Sequence, residues 1–330
     1  MRIASIDLDV RVAVIAEIGN NHEGDMDVAR ALVDAAAGAG CDAVKLQALT
    51  ADRLVGPVDP ARMAQLRSYE LGVEGYRELC RRGRAAGMAV GVTPLDLGMA
   101  DALAGEVDFW KVASGDNDHM PLLDRVGADG LPVVISSGGT DLAGMRAALA
   151  RLGGRVPVCV LHCVSAYPTP AEDANLRAIP ALAEALGVTV GYSDHTLGIA
   201  AAPLAVALGA RVIEKHITLD RSRATFRDHA LSADPADMAA LVGAVRTAEA
   251  MLGDGDPGVR ASEAGSLPGM RRSVAATRDL PAGHVLAAGD LTWLRPGGGV
   301  APGGEGALVG RALARAVTAG TPVGRGDLEA

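Results

Sequence analysis

The sequence predicts an α/β fold, a (β/α)8 TIM barrel followed by a small β-rich module. Three observations carry that prediction. Eight short apolar runs, each bounded by turn-forming residues, recur through residues 12–217. Ala- and Leu-rich stretches of helical length lie between them. The runs end in charged or hydroxylated residues, at the strand ends where a barrel carries its chemistry. A doubly wound open sheet is the alternative. Eight units, and the lack of a Gly-rich dinucleotide fingerprint after the first run, count against it.

In chain order the predicted strands are VAVIAEIG (12–19), DAVKLQ (42–47), AVGVTP (89–94), FWKVAS (109–114), PVVISSG (132–138), PVCVLHC (157–163), VTVGYSD (188–194) and RVIEKHI (211–217). Helical stretches include 27–39, 73–86, 141–151, 172–186, 198–208 and 235–252. The barrel is therefore expected to occupy residues 1–252. Residues 253–270, rich in Gly, Pro and Ser, read as a linker. Residues 271–330 alternate short apolar runs with Gly- and Pro-containing turns. That module lies near the lower size limit for independent stability and is expected to pack on its own barrel or on a partner subunit.

Composition narrows the function. A net charge of −9 argues against nucleic acid as the main partner, because phosphate backbones attract a basic face. The longest weakly polar stretch, 197–210, is too short to span a bilayer and contains Gly and Pro. The segment MRIASIDLDV has no apolar signal core, so a cytoplasmic protein with no membrane partner is expected. Cys41, Cys80, Cys159 and Cys163 show no metal-type pairing and read as buried thiols. Of the 31 Lys and Arg residues only Lys45, Lys111 and Lys215 are lysines, and all three fall at strand ends. A compact three-donor ammonium is wanted there rather than a planar fork.

The other strand ends are as telling. Glu17 ends the first strand and Gln47 follows Lys45. Thr93 and Asp96 close the third, and Ser114 follows Lys111. Ser136 and Ser137 end the fifth, His162, Ser165 and Tyr167 the sixth, and Tyr192, Asp194 and His195 the seventh; Glu214, Lys215 and His216 end the eighth. Residues two apart share a strand face, so Glu214 and His216 point together and Lys215 points away, toward the helices or a salt bridge. Lys45 and Lys111, with Thr93, Ser114, Ser136, Ser165, Tyr167 and loop amides, suit a bound phosphate. His195 and His216 end adjacent strands. They suit an open divalent-metal site, an acid–base pair, or core histidines hydrogen-bonded to neighbours. Glu17 and Glu214 suit acid, base or sugar-binding roles, or structural ion pairs. Asp228 and His229 lie in the loop above the site, whereas Asp234 suits the cap of the following helix.

Seven motifs in order, AEIGNNHEGD, DAVKLQ, VTPLD, KVASGD, VLHCVSAYPTP, GYSDHT and VIEKHITLD, resemble the sialic acid (N-acetylneuraminate) synthase family. The trailing RRSVAATRDLPAGHVL…WLRPGGG resembles that family's antifreeze-like (SAF) domain, so the likeness spans nearly the whole chain. It implies that phosphoenolpyruvate condenses with an N-acetylhexosamine such as N-acetylmannosamine, giving a nine-carbon 3-deoxy-2-ulosonic acid and phosphate. It implies a divalent metal, manganese first and magnesium or cobalt as alternatives, on His195 and His216. Lys45, Thr93, Lys111, Ser114, Ser136, Ser165 and Tyr167 match phosphoenolpyruvate positions. Glu17, Glu214 and Asp228 match acidic residues near the sugar, with Gln47 and Tyr192 as further sugar contacts. The likeness also implies a domain-swapped homodimer in which an arginine of the SAF domain, Arg295 before Arg271 or Arg272, reaches the N-acetyl group.

Some positions depart from the family's pattern. Ser165 stands where some members carry Asn, and Ser136-Ser137-Gly138 replaces a Ser-Thr-Gly pattern. RSRATFRDHALS is longer and more basic than the usual loop there, which opens a different hexosamine and, as products, legionaminic- or pseudaminic-type acids or another polysaccharide sugar. Three rivals remain in view. A synthase acting on a phosphorylated sugar needs a second basic cluster. A Schiff-base aldolase would use Lys45 or Lys111 covalently. A non-catalytic sugar-binding barrel would bind without releasing phosphate.

Overall fold

The structure, a computed structural model, describes residues 1–223 and 226–330. Among these residues eight parallel strands close a barrel. In chain order the barrel unit runs β1 (Ala13–Gly19), α1 (Met26–Gly38), β2 (Ala43–Ala48), α2 (Ala51–Leu54), α3 (Pro60–Tyr69), α4 (Gly72–Ala85), β3 (Ala89–Pro94), α5 (Leu97–Ala102) and β4 (Phe109–Val112). It continues with α6 (Met120–Gly127), β5 (Val133–Ser136), α7 (Leu142–Leu152), β6 (Val158–His162), α8 (Ala178–Leu186), β7 (Thr189–Asp194), α9 (Ala201–Ala207), β8 (Val212–His216), α10 (Asp228–Leu231) and α11 (Pro235–Leu252). β8 closes the ring, pairing Val212 with Ala13 of β1 and Ile213 with Tyr192 of β7.

Strand alternation divides the core in two. Ala13, Ile15, Ala43, Phe109, Val134, Cys159, Leu161 and Val212 fill the interior, and Gly91 leaves room for the Phe109 ring, which an added Cβ would meet at 2.2 Å. Val14, Ala16, Val44, Val90, Trp110, Ile135, Val160 and Ile213 face outward and pack on the helices. A hairpin pairing Arg2–Ile3 with Ile6–Asp7 lays Ile3 and Leu8 against the lower interior. Aspartates cap several helices: Asp25 accepts from Asp27 N and Val28 N ahead of α1, and Asp234 from Asp237 N ahead of α11.

Two features were not foreseen. Helices α2 and α3 fill the long connection after β2, where only 73–86 reads as helical from sequence; Arg, Gln and Ser dilute the apolar periodicity of α3. The N-terminal hairpin uses runs too short to show a period.

The chain divides into compact units Met1–Gly253 and Asp254–Ala330. The expected linker is partly structured: Leu267–Met270 forms a helical turn, and the Pro268 carbonyl accepts from Gly297 N. In the second unit β9 (Ser273–Ala276) pairs antiparallel with β10 (Leu291–Leu294) over its own core of Val274, Leu280, Leu286, Leu308, Leu313 and Val323. Among the described residues no helix is long and apolar enough to cross a membrane.

Candidate active site

Side chains that share the inward face of the strands meet at the carboxyl end of the barrel. The ladders set Glu17 opposite Lys45 on one side and His216 on the other, and Glu214 opposite Ser193. The Lys45 ammonium ion-pairs with Glu17. Lys111 Nζ donates to Ser136 Oγ at 2.7 Å and the Val112 carbonyl at 3.2 Å, and lies 3.7 Å from Glu214 Oε1. Ser193 Oγ donates to the same Glu214 oxygen at 2.9 Å. Ser165 Oγ donates to Ser114 Oγ at 2.9 Å at the rim. Glu17, Lys45, Lys111 and Glu214 are each under 5 % exposed, so two cations and two anions share a dry site.

Burial in native proteins is usually compensated, yet here several polar atoms lack partners. Glu17 Oε1, Glu214 Oε2, Thr93 Oγ1 and His216 Nδ1 are buried with no hydrogen-bond partner among the described residues. Such unmet capacity is stability forgone, and for Glu17 and His216 it meets at one point. Gly19 marks that point: the β1–β2 register shifts after Glu17, and Gly19 takes φ +57°, which L side chains rarely adopt. A Cβ there would stand 3.3 Å from both Glu17 Oε1 and His216 Nδ1.

The electrostatics follow from burial. Desolvation pulls the Lys45 ammonium down to about 7; Glu214 and Asp228 oppose the drop and Lys111 adds to it. Burial pushes the Glu214 carboxyl up, but Lys111, Lys45 and the Ser193 hydroxyl together outweigh it and hold it below the usual range. Desolvation, then His195, Lys45, Lys215 and Lys111, drive His216 well below its ordinary value. Burial also lowers His195, against the Val164 carbonyl bond.

Both imidazoles are therefore neutral at pH 7, the form that binds metal. His195 Nδ1 bonds the Val164 carbonyl at 2.9 Å; a carbonyl only accepts, so Nδ1 holds the proton, and Nε2, 3.4 Å from a Ser193 Oγ whose hydrogen goes to Glu214, offers a lone pair. The two rings lie 5.6 Å apart, with Tyr167 at 4.2 Å from His195 and 6.3 Å from His216. The Arg227 guanidinium sits 4.6 Å over the Tyr167 ring. Two neutral imidazoles, one with an orphaned buried nitrogen, fit a divalent ion that keeps open positions for oxygen ligands. Among the described residues no group of three or more His, Cys, Asp or Glu could hold a metal, so oxygens of substrate and water would complete the shell.

The structure brings together Glu17, Lys45, Thr93, Lys111, Ser136, His195, Glu214 and His216 on one inward face, with Ser114, Ser165 and Tyr167 at its rim. Gln47 shares the face and accepts from Asn20 Nδ2 at 3.4 Å. Asp228 begins α10, is 7 % exposed, takes a 3.0 Å hydrogen bond from Arg227, and its charge reaches Lys45. Tyr192 does not join them. It lies on the outward face of β7, 1 % exposed in the helix-packed core and stacked on His162 at 5.8 Å, which corrects its expected sugar contact. The period of two that separates Lys215 from Glu214 also separates Tyr192 from Ser193. Arg295 is exposed in the second unit and makes no side-chain hydrogen bond or ion pair among the described residues.

Sequence reasoning missed Ser193, which shares its face with His195. It missed Asn117, whose amide holds the Ser136 and Gly138 carbonyls at 3.2 and 3.1 Å. It also missed Gly138, where a Cβ would approach Ser165 Oγ to 2.3 Å and Cys163 Sγ to 2.7 Å. In the basic loop after β8, residues 224 and 225 lie outside the described residues. Phe226 packs edge-on against Tyr69 at 5.5 Å, and Thr218 Oγ1 pairs with His229 Nδ1 at 2.7 Å.

Comparison with known proteins agrees with this geometry. The NeuB family model matches residues 32–257 and the SAF domain model residues 271–329. The N,N'-diacetyllegionaminic acid synthase of Legionella pneumophila is 37% identical, over 93% of this chain and 92% of its own. The N-acetylneuraminate-9-phosphate synthase of Homo sapiens is 34% identical, over 84% of this chain and 82% of its own. The crystal structure of an N-acetylneuraminic acid (sialic acid) synthetase from Leptospira borgpetersenii, in complex with citrate, superposes with TM-score 0.76 at 33% identity, covering 81% of this chain and 94% of that one. Fold and site thus define a (β/α)8-barrel enzyme of the synthase class. The chain belongs to the NeuB family, and a SAF domain follows its barrel.

Proposed function

We propose that this enzyme condenses phosphoenolpyruvate with an N-acetylated hexosamine and water, giving a nine-carbon 3-deoxy-2-ulosonic acid and phosphate. The observation that carries this reading is the pairing, in one buried pocket, of two ammonium groups with two neutral imidazoles that each offer a ring nitrogen. Lys45 and Lys111, with Thr93, Ser114, Ser136, Ser165 and Tyr167, hold the phosphate and carboxylate of phosphoenolpyruvate, a site electrostatically prepared for a multiply charged anion. His195 and His216 would hold a divalent ion, manganese first, which when bound polarises the sugar aldehyde. The double-bond electrons of phosphoenolpyruvate form the new carbon–carbon bond to the aldehyde carbon, whose oxygen takes a proton. Water adds to the former enol carbon, and that tetrahedral centre expels phosphate. Glu214 is anionic, faces Lys111, and has a free buried oxygen, so it is the base assigned to that water; Glu17 and Asp228 orient the sugar.

A diacetamido hexosamine, leading to a legionaminic-type acid, is the second reading. It draws support from the 37% identity to the Legionella pneumophila synthase and from the arginine-rich loop after β8. Arg295, exposed and unpaired, is assigned to the N-acetyl group of a sugar bound in the partner subunit of a homodimer. Arg295→Ala should raise KM for the sugar about 10-fold and leave KM for phosphoenolpyruvate unchanged, as steady-state kinetics would report.

Phosphate release from phosphoenolpyruvate, measured with manganese and a panel of mono- and diacetamido hexosamines with and without chelator, tests the whole reading. Chelator-sensitive release with one sugar is expected. Release without any sugar requirement, or inactivation by borohydride in the presence of substrate, would overturn it.

A further inference from the structure

The outward face of the same two strands carries a second buried ion pair, which the chemistry above does not use. Lys215 and Asp194 are register partners on β8 and β7, 1 % and 0 % exposed, with Nζ and Oδ2 3.1 Å apart. Asp194 immediately precedes His195 and Lys215 immediately precedes His216. Asp194 Oδ1 accepts from both Thr196 N (2.9 Å) and Thr196 Oγ1 (2.7 Å), and Lys215 Nζ donates to the Thr196 carbonyl at 2.5 Å. The carboxylate therefore grips the backbone on the far side of His195, and the lysine ties that same residue to the strand of His216.

Energetics make a purely stabilising role a poor account. A buried ion pair rarely gains more than well-packed apolar side chains would, and Val190 and Ile213 on the same face are such side chains. Keeping such a pair yields a fixed geometry rather than net stability. We infer that Asp194, Lys215 and Thr196 form a clamp that positions His195 against His216, holding the spacing of the two-histidine cation site. The inference rests on the proposed metal role of those histidines. Asp194 and Lys215 are positioning residues: they touch neither substrate nor ion, and they act through the backbone of residues 194–196.

The test uses manganese(II) alone as probe, its dissociation constant read by the loss of free-ion signal in electron paramagnetic resonance. The double variant D194N/K215M removes both charges while the Asn oxygen still accepts from Thr196. It should unfold at a temperature near that of the wild type and bind manganese about 10-fold or more weakly, the usual cost of losing a group that orients a metal ligand. Thr196→Val, which deletes only one donor, should keep the fold and weaken manganese about 3-fold; it decides the matter if the double variant does not fold. Variants that bind manganese as tightly as wild type, whatever their unfolding temperature, overturn the clamp while leaving the two-histidine reading intact. A folded wild-type protein that binds no manganese overturns that reading and the clamp with it.

Discussion

The two faces of β7 and β8 bury charge in opposite ways. Outside, Lys215 and Asp194 satisfy each other and Thr196, leaving no unpaired side-chain atom. Inside, on either side of Lys215 along β8, Glu214 Oε2 and His216 Nδ1 have nothing to bond, and Glu17 Oε1 and Thr93 Oγ1 share that state. Both groups are nearly inaccessible to solvent, so exposure does not distinguish them. Completeness does. A finished network spends its hydrogen-bonding capacity on the protein, whereas an unfinished one reserves it for a ligand.

The sharpest way to break this comparison is to empty the inner site of a cation. Lys111→Met should lower kcat/KM for phosphoenolpyruvate by about 10^3-fold in a phosphate-release assay. It should also cost about 3–5 kcal/mol in chemical denaturation, because Glu214 loses a charged neighbour in a dry site. His216→Ala ranks next, with an expected loss of about 10^2-fold in chelator-sensitive turnover and an unfolding midpoint little changed, since its Nδ1 bonds nothing in the protein.

A pH profile sharpens the comparison more gently. The folded-state pKa of Lys45 is depressed to about 7 by burial, so the ammonium is present below that value and is lost as pH rises through it. Affinity for phosphoenolpyruvate should therefore fall above pH 7, by up to about 10-fold per unit. The phosphate's own second ionisation, near pH 6, would strengthen binding with rising pH and cannot mimic the fall. In Lys45→Arg the fall should disappear from the assay range, because a guanidinium stays protonated. A flat wild-type profile would detach Lys45 from the anion. Smallest of all is Tyr192→Phe: its ring lies in the outer layer, so kcat and both KM values should stay within about 2-fold of wild type. A large rise in sugar KM would restore the sugar contact that the geometry removes.

The eight strands were legible from sequence because buried parallel strands read as apolar runs between turn signals, and observed bounds such as Ala89–Pro94 and Thr189–Asp194 fall on or within one residue of those expected. Candidate site residues were legible for a related reason. A barrel confines polar groups on its inner face to one end, so Lys45, Lys111 and Glu214 stand out against apolar neighbours. Tyr192 was misjudged because nearness to a strand end was weighed without its face. α3, the N-terminal hairpin and the Asn117 hold on the loop after β5 give little local signal, for each depends on partners distant in sequence.

By itself, then, the sequence determined the barrel and the kinds of group at its working end, because strand period and composition are local properties of the chain. Tertiary structure alone decided which of those groups remain unpaired, that Lys45 meets Glu17 while Lys215 meets Asp194, and that burial takes the Lys45 ammonium down to about 7. Those outcomes depend on which strands become neighbours and on how much water the closed ring excludes, and no stretch of chain carries that information until the barrel has closed.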